Sequence, residues 1–291
     1  MVKNVVKKVC AVHDLCGLGH VSLNEVISIL STMGQQVVSL PTAVLSANTS
    51  YENFRFLDLT SMMPQFIEHW KELEIEFDAI YSGFLGSPEQ INIVIDLIRD
   101  FAHPNLLVVV DPVFADDGEL YTSFDMDIVY EMRKLIEVAD IITPNITEAA
   151  FLLGEEYPER LPTETAKEWC RRLAAKGPKV VVLTSAPDDH PVKRTAVIAY
   201  NREEDRFWKV SCDYIPASFP GTGDAFTSVM LGSLMQGDSL PIALDRAIQF
   251  ISIGIRSTYG FKDHINEGIL VERVLSYLNN PIPISSFEIL D

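Results

Sequence analysis

Basic side chains are scarce in this chain. It has 23 Lys and Arg against 41 Asp and Glu, for a net charge of −18. Such a surface repels nucleic acid and anionic membrane, and repels a nucleotide at long range as well. A nucleotide site here therefore needs local N–H groups and metal ions to offset that field. Cysteine is also sparse: Cys10, Cys16, Cys170 and Cys212 are scattered and form no C-x-x-C. Reduced thiols in a cytoplasmic protein are the simple reading. No run of 18 apolar residues occurs, so no membrane-spanning helix is expected. The stretch Val9–Val12, behind the basic start Met1–Lys8, is too short for the apolar core of a signal peptide. No G-x-x-x-x-G-K-[ST] and no G-x-S-x-G are present, which argues against a P-loop enzyme and an α/β-hydrolase. Gly/Ser linkers and internal repeats are missing too. We expect one domain over residues 1–280, with a loosely held, proline-containing tail over 281–291.

Hydrophobic residues make up 47% of the 291 positions, enough for a buried sheet covered by helices. Short apolar, β-branched runs predict strands at Val5–His13, Val37–Leu40, Ala79–Tyr81, Leu106–Val110, Asp140–Ile142 and Val180–Leu183. Helical patterns cover Val21–Met33, Met62–Leu73, Pro88–Phe101, Phe124–Val138, Thr147–Leu153, Thr163–Lys176, Asp224–Met235 and Leu240–Tyr259. Thr195–Tyr200 and Arg206–Cys212 read as an antiparallel pair. Alternating strands and helices predict an α/β domain of three layers (α/β/α) around a mainly parallel sheet. Ligands of such sheets bind outside the carboxyl ends of the strands. His13-Asp14, Thr42, Gly83-Phe84, Asp111, Thr143-Pro144-Asn145 and Thr184-Ser185 all follow predicted strands, so they point to one shared site.

The sharpest motif is Pro220-Gly221-Thr222-Gly223-Asp224, just before a predicted helix. Two glycines let the backbone approach a ligand, and the helix start adds partial positive charge. Asp224 beside that anion hole can take a proton from a hydroxyl while the N–H groups stabilise a transferring phosphoryl group. The plainer alternative is a helix cap and a turn. Asp111-Pro112 and Glu148 are carboxylates suited to Mg²⁺ and its waters, against the alternatives of a turn residue and a first-turn acid. Gly17-Leu18-Gly19 resembles the start of a dinucleotide fingerprint, but Ser22 stands where the third glycine belongs and no acid closes the second strand. Cys10, His13, Cys16 and His20 have the wrong spacing for a zinc finger, and Cys10 and His13 fall on opposite faces of one strand. A buried cysteine and a site histidine are the better readings.

These segments resemble a known family. Pro220–Phe226 is similar to the anion-hole signature of ribokinase-like carbohydrate and vitamin kinases. Ala139–Asn145 followed by Glu148, Tyr81–Ser87 and Asp111-Pro112-Val113 resemble the pyridoxal kinase branch. Ala11–Leu15 and Leu40–Ser46 look like its bacterial subgroup, and the resemblance runs from about Lys8 to Leu278. It implies a ribokinase-like fold without a large lid, and ATP- and Mg²⁺-dependent phosphorylation of the 5′-hydroxymethyl group of a B6 vitamer. It also implies roles for individual residues. Asp224 is the base, and Gly221, Thr222 and Gly223 form the anion hole. Asn145, Thr184 and Ser185 lie at the nucleotide. Asp14, Gly17, Gly19, Thr42 and Phe84 lie at the vitamer, and Asp111 and Glu148 at the metal. A homodimer is the family expectation, and a monovalent cation is an open question. Val12 replaces a serine common in the branch, and Phe84 replaces a tyrosine. Hydroxymethylpyrimidine kinases commonly carry cysteine where this chain has Asp224, which tilts the choice toward a vitamer. A hydroxymethylpyrimidine or sugar kinase and a non-catalytic vitamer-binding protein stay open.

Overall fold

The computed structural model describes residues 5–158, 160–187, 194–261, 266–279 and 286–290. The strands are β1 (Lys8–Cys16), β2 (Gln36–Leu45), β3 (Phe56–Asp58), β4 (Ala79–Ser82), β5 (Leu107–Val110), β6 (Ala115–Asp116), β7 (Glu119–Leu120), β8 (Ile141–Ile142), β9 (Val180–Pro187), β10 (Arg194–Asn201), β11 (Arg206–Asp213) and β12 (Phe287–Leu290). The helices are α1 (Ser22–Thr32), α2 (Met63–Glu72), α3 (Pro88–Asp100), α4 (Met126–Glu137), α5 (Ile146–Leu153), α6 (Thr163–Ala174), α7 (Thr222–Gln236) and α8 (Leu240–Thr258).

Ten strands form one sheet in the order β12-β11-β10-β9-β8-β5-β4-β1-β2-β3. The block from β2 to β9 is parallel, and both margins are antiparallel. Alternation along each central strand sorts side chains onto two faces. Cys10, Val12, Ile80, Val108 and Val110 join the core beneath α2 to α6. Val9, Ala11, Ala79, Tyr81 and Val109 join the core beneath α1, α7 and α8. The expected three-layer fold is present, and among the described residues no large lid stands over the sheet.

The chain runs from β1 outward to β2 and β3, then returns to place β4 on the other side of β1. The connections diverge between β1 and β4, and such a switch point opens a crevice at the carboxyl ends of its strands. His13-Asp14 and Gly83-Phe84 lie at that crevice. The β1–β2 register also shifts between His13 and Leu15, with the extra residue on β2. Such a bulge re-aims side chains at the rim of a site.

Several stretches depart from the sequence reading: β2 runs on to Leu45 and takes in Thr42, and β9 runs on to Pro187 and takes in Thr184 and Ser185. β1 begins at Lys8 rather than Val5, because Val5 and Val6 are exposed while Cys16 still pairs with Leu45 of β2. β3 and the β6–β7 hairpin occupy sequence that carries no strand pattern, and pairing rather than propensity forms them. Within the expected loose tail, Phe287–Leu290 adds an edge strand on β11.

Gly177 closes the turn after α6 with φ 156°, and a Cβ there would lie 2.6 Å from the Glu137 Cα. Gly177→Ala is expected to destabilise the protein by about 2 kcal/mol through backbone strain and this clash. A urea melt unchanged within about 0.5 kcal/mol would contradict the close approach.

Candidate active site

The glycines of the Gly-Thr-Gly-Asp segment act first on the backbone. Gly221 precedes α7 in the left-handed region, at φ 83°. A Cβ there would collide with the His20 carbonyl and come within 2.6 Å of Glu25 Oε2, so only glycine fits. No side chain caps α7, which leaves its first N–H groups available to an anion. Thr222 turns its hydroxyl back to the Phe219 carbonyl at 3.2 Å. Asp224 is the third residue of α7, so the helix starts two residues earlier than the pattern suggested.

Asp224 reaches out of its own helix. Its Oδ2 accepts the Ser22 N–H from α1 at 2.8 Å, which sets aside the reading of Asp224 as only a helix cap. Its Oδ1 lies 3.6 Å from His13 Nδ1, and its side chain is 13% exposed. Ser22 holds a left-handed φ of 50°, a strained conformation that presents its N–H to the carboxylate. Gly83 packs beside both partners: a Cβ there would strike the His13 ring and stand 3.4 Å from Asp224 Oδ1.

At the crevice between β1 and β4, Asp14 is buried, and its Oδ2 accepts the Cys16 thiol at 3.2 Å. Phe84 stacks on Phe124 with ring centroids 5.7 Å apart. Thr42 is fully buried and donates to the Phe84 carbonyl at 3.4 Å. That bond ties Thr42 to the backbone of Phe84. Gly17 donates to the Leu45 carbonyl, and Gly19, at φ 113°, sits against Asn48 and the Glu267 carbonyl. Both glycines shape the loop behind Asp14.

Asp111 follows β5 and is buried; its Oδ1 accepts the Thr143 hydroxyl at 2.9 Å. Thr227 of α7 donates to that same threonine oxygen at 3.1 Å. Asp111 Oδ2 lies at the start of α7, 3.7 Å from where a Gly223 Cβ would stand. Glu148 forms a capping box with Asn145: its Oε2 accepts the Asn145 N–H, while its own N–H donates to Asn145 Oδ1, each at 2.8 Å. Its Oε1 takes the Phe114 N–H at 3.4 Å. Both carboxylate oxygens thus serve the backbone, as a first-turn acid does. Asn145 also donates to the Ala115 carbonyl, so its amide is committed on both sides.

Thr184 donates through its N–H and its hydroxyl to the Pro144 carbonyl, and Ser185 is left-handed at φ 57°. The two line a cleft of about 130 Å³ that runs from Thr222 and Gly223 to Cys212, Ile248 and Ile251. Among the described residues no group of three or more His, Cys, Asp or Glu has metal-binding geometry. The sequence reading gave no role to Ser22, Thr227, Glu25 and Phe124; Thr143 it placed at the site only as part of the Thr143-Pro144-Asn145 cluster. Glu25 is fully buried with both oxygens unpartnered among the described residues.

The carboxyls crowd one another. Burial, then Asp111 and Asp14, push Asp224 from 3.8 up to about 8. Burial raises Asp111 to about 7. Burial and Asp111 raise Glu148, and burial and Asp224 raise Glu25. Each group holds its proton more tightly folded than unfolded, so stability falls as pH rises from 3.8 toward about 8. The ligand-free protein is therefore expected to melt at a higher temperature near pH 6 than near pH 8, with Asp224→Asn narrowing the gap. Melting curves in which the substitution leaves the gap unchanged would contradict this electrostatic picture.

Comparison with known proteins agrees with this geometry. The phosphomethylpyrimidine kinase family model matches residues 27–268. A pyridoxal kinase of Arabidopsis thaliana is 28% identical over 82% of this chain and 78% of its own length. A solved Bacteroides thetaiotaomicron protein, assigned as a phosphomethylpyrimidine kinase and crystallised with pyridoxal, is 58% identical. It covers 98% of this chain and 100% of its own, with a TM-score of 0.94. The pyridoxal kinase of Lactobacillus plantarum is 30% identical over 94% of this chain and 97% of its own, with a TM-score of 0.85. The chain belongs to the phosphomethylpyrimidine kinase family, within the ribokinase-like kinases that include the pyridoxal kinases.

Proposed function

We propose that this protein uses ATP to phosphorylate the 5′-hydroxymethyl group of pyridoxal, pyridoxamine or pyridoxine. One observation carries the reading: Asp224 stands at the uncapped start of α7, between the Asp14–Phe84 crevice and the cleft lined by Thr184, Ser185 and Gly223. A hydroxyl bound in the crevice meets a base, and a phosphoryl group arriving from the cleft meets N–H donors. The 58% identical relative crystallised with pyridoxal supports a vitamer in the crevice.

In this reading Asp224 removes the hydroxyl proton as the oxygen attacks the γ-phosphorus, and the β–γ bridging oxygen leaves with ADP. The N–H groups of Gly221, Thr222 and Gly223 hold the equatorial oxygens. Asn145, Thr184 and Ser185 flank the phosphates, and the apolar end of the cleft at Ile248 and Ile251 suits the adenine. A divalent cation fits the crowded acids: Asp111 Oδ2 would face it at the anion hole, and Glu148, already bonded to backbone, would act on it only indirectly. Mg²⁺ would supply charge neutralisation for the phosphates, which the −18 protein otherwise repels. A cytoplasmic setting suits the free thiols. We carry one domain over 1–280 and a homodimer as parts of the proposal.

A second reading is phosphorylation of hydroxymethylpyrimidine, favoured by the description of the matching family. ATP consumption with Mg²⁺, measured side by side on the three vitamers and the pyrimidine, separates the two. Turnover confined to the pyrimidine would overturn the vitamer assignment. With the substrate established, Asp224→Ala is expected to lower kcat at least about a hundredfold with KM little changed. A loss confined to KM would remove Asp224 from the role of base.

A further inference from the structure

His13 is a fully buried, ionisable group that the proposed chemistry leaves unused. Its ring packs edge-on against Tyr81, with centroids 4.4 Å apart, in space that exists only because residue 83 is glycine. Neither ring nitrogen has a hydrogen-bond partner among the described residues. An unsatisfied buried polar atom is destabilising, so a purely packing residue at this position would do better without nitrogens. Nδ1 is aimed at Asp224 Oδ1, 3.6 Å away. Burial pushes the imidazole down to about 3, so it is neutral and carries a single N–H.

We propose that His13 is a positioning residue for the base, donating its Nδ1–H to Asp224 Oδ1 when substrate closes the site. The inference rests on the reading of Asp224 as base, and chemistry fixes the tautomer. An ionised carboxylate only accepts, so the nitrogen facing it must carry the proton and Nε2 must be bare. A closure of about 0.6 Å brings the pair to hydrogen-bond length. The Ser22 N–H already holds Oδ2 at 2.8 Å. With both oxygens held, the carboxylate plane is fixed toward the hydroxyl it deprotonates. Two donors also favour its ionised form, against the burial that opposes it. His13 is wholly shielded from solvent, so it acts through Asp224 and not on the substrate.

The test is a substitution series read as kcat against KM. Asn places an N–H where Nδ1 stands, Gln places one nearer Nε2, and Leu supplies none. His13→Leu and His13→Gln are expected to lower kcat about ten- to hundredfold with the KM of the hydroxymethyl substrate within about twofold, and His13→Asn to recover to within about threefold of wild type. Equal impairment of the Asn and Leu variants, or a loss confined to KM, overturns the proposal. The series uses whichever hydroxymethyl substrate wild type turns over, so failure of the vitamer reading changes the substrate and not the comparison. Should the variants fold poorly, ¹⁵N spectra of histidine-labelled wild type above about pH 8, where Asp224 is ionised, decide independently. The His13 ring, identified by its contacts to Tyr81, is expected protonated at Nδ1 and bare at Nε2. The opposite tautomer overturns the proposal.

Discussion

Everything chemical in this protein depends on one backbone constraint, the left-handed turn at Gly221 that sets the start of α7 against the carboxyl ends of the sheet. The turn is locked because the His20 carbonyl and Glu25 occupy the space a side chain would need. It leaves the first N–H groups of α7 uncapped and swings Asp224 across to the Ser22 N–H of α1. Gly268, at φ 90°, packs against the His20 and Pro220 carbonyls from the other side. His20 in turn donates to the Glu267 carbonyl. Three distant segments thus fix a turn of a few residues. That rigidity is what an anion hole requires, because donors already in place need no reorganisation when charge develops.

The second organising feature is an excess of buried negative charge. Asp14, Glu25, Asp111, Glu148 and Asp224 are gathered around the end of the sheet, and the largest single cause of each raised proton affinity is burial. A fold does not accumulate such groups for stability, since each is costly when ionised. Strongly shifted acids in a cleft are the mark of a working site. A bound cation would convert the crowding into attraction. The same logic reconciles a strongly acidic protein with a polyanionic substrate: the surface repels, but the innermost site carries helix N–H groups and oxygens suited to a metal.

Much of this was legible in the sequence, for reasons that can be named. Strand runs such as Leu-Val-Val-Val at 107–110 are apolar because they are covered on both faces, and that pattern survives without coordinates. Residues directly after such runs lie at the carboxyl ends of the strands, so the placement of Asp14, Phe84, Asp111, Asn145 and Thr184 at one end of the sheet was legible without the strand order. β3, β7 and β12 were not legible, since each exists only through pairing with a neighbour. Nor were the backbone partners of Thr42 and Glu148, which lie on other segments at Phe84 and Phe114.

The sequence by itself determined the α/β class, the set of strand-end residues and the glycine turn with its aspartate, because these follow from local periodicity and from what glycine alone can adopt. Only the tertiary structure decided which of those residues meet. The return of the chain to lay β4 beside β1 creates the crevice. A strained Ser22 N–H, a buried imidazole and a threonine pair come from α1, β1, β8's end and α7 to surround two carboxylates. These partners are separated by as many as 202 positions in sequence. Contacts at that range are set by the sheet's topology, which no local pattern encodes.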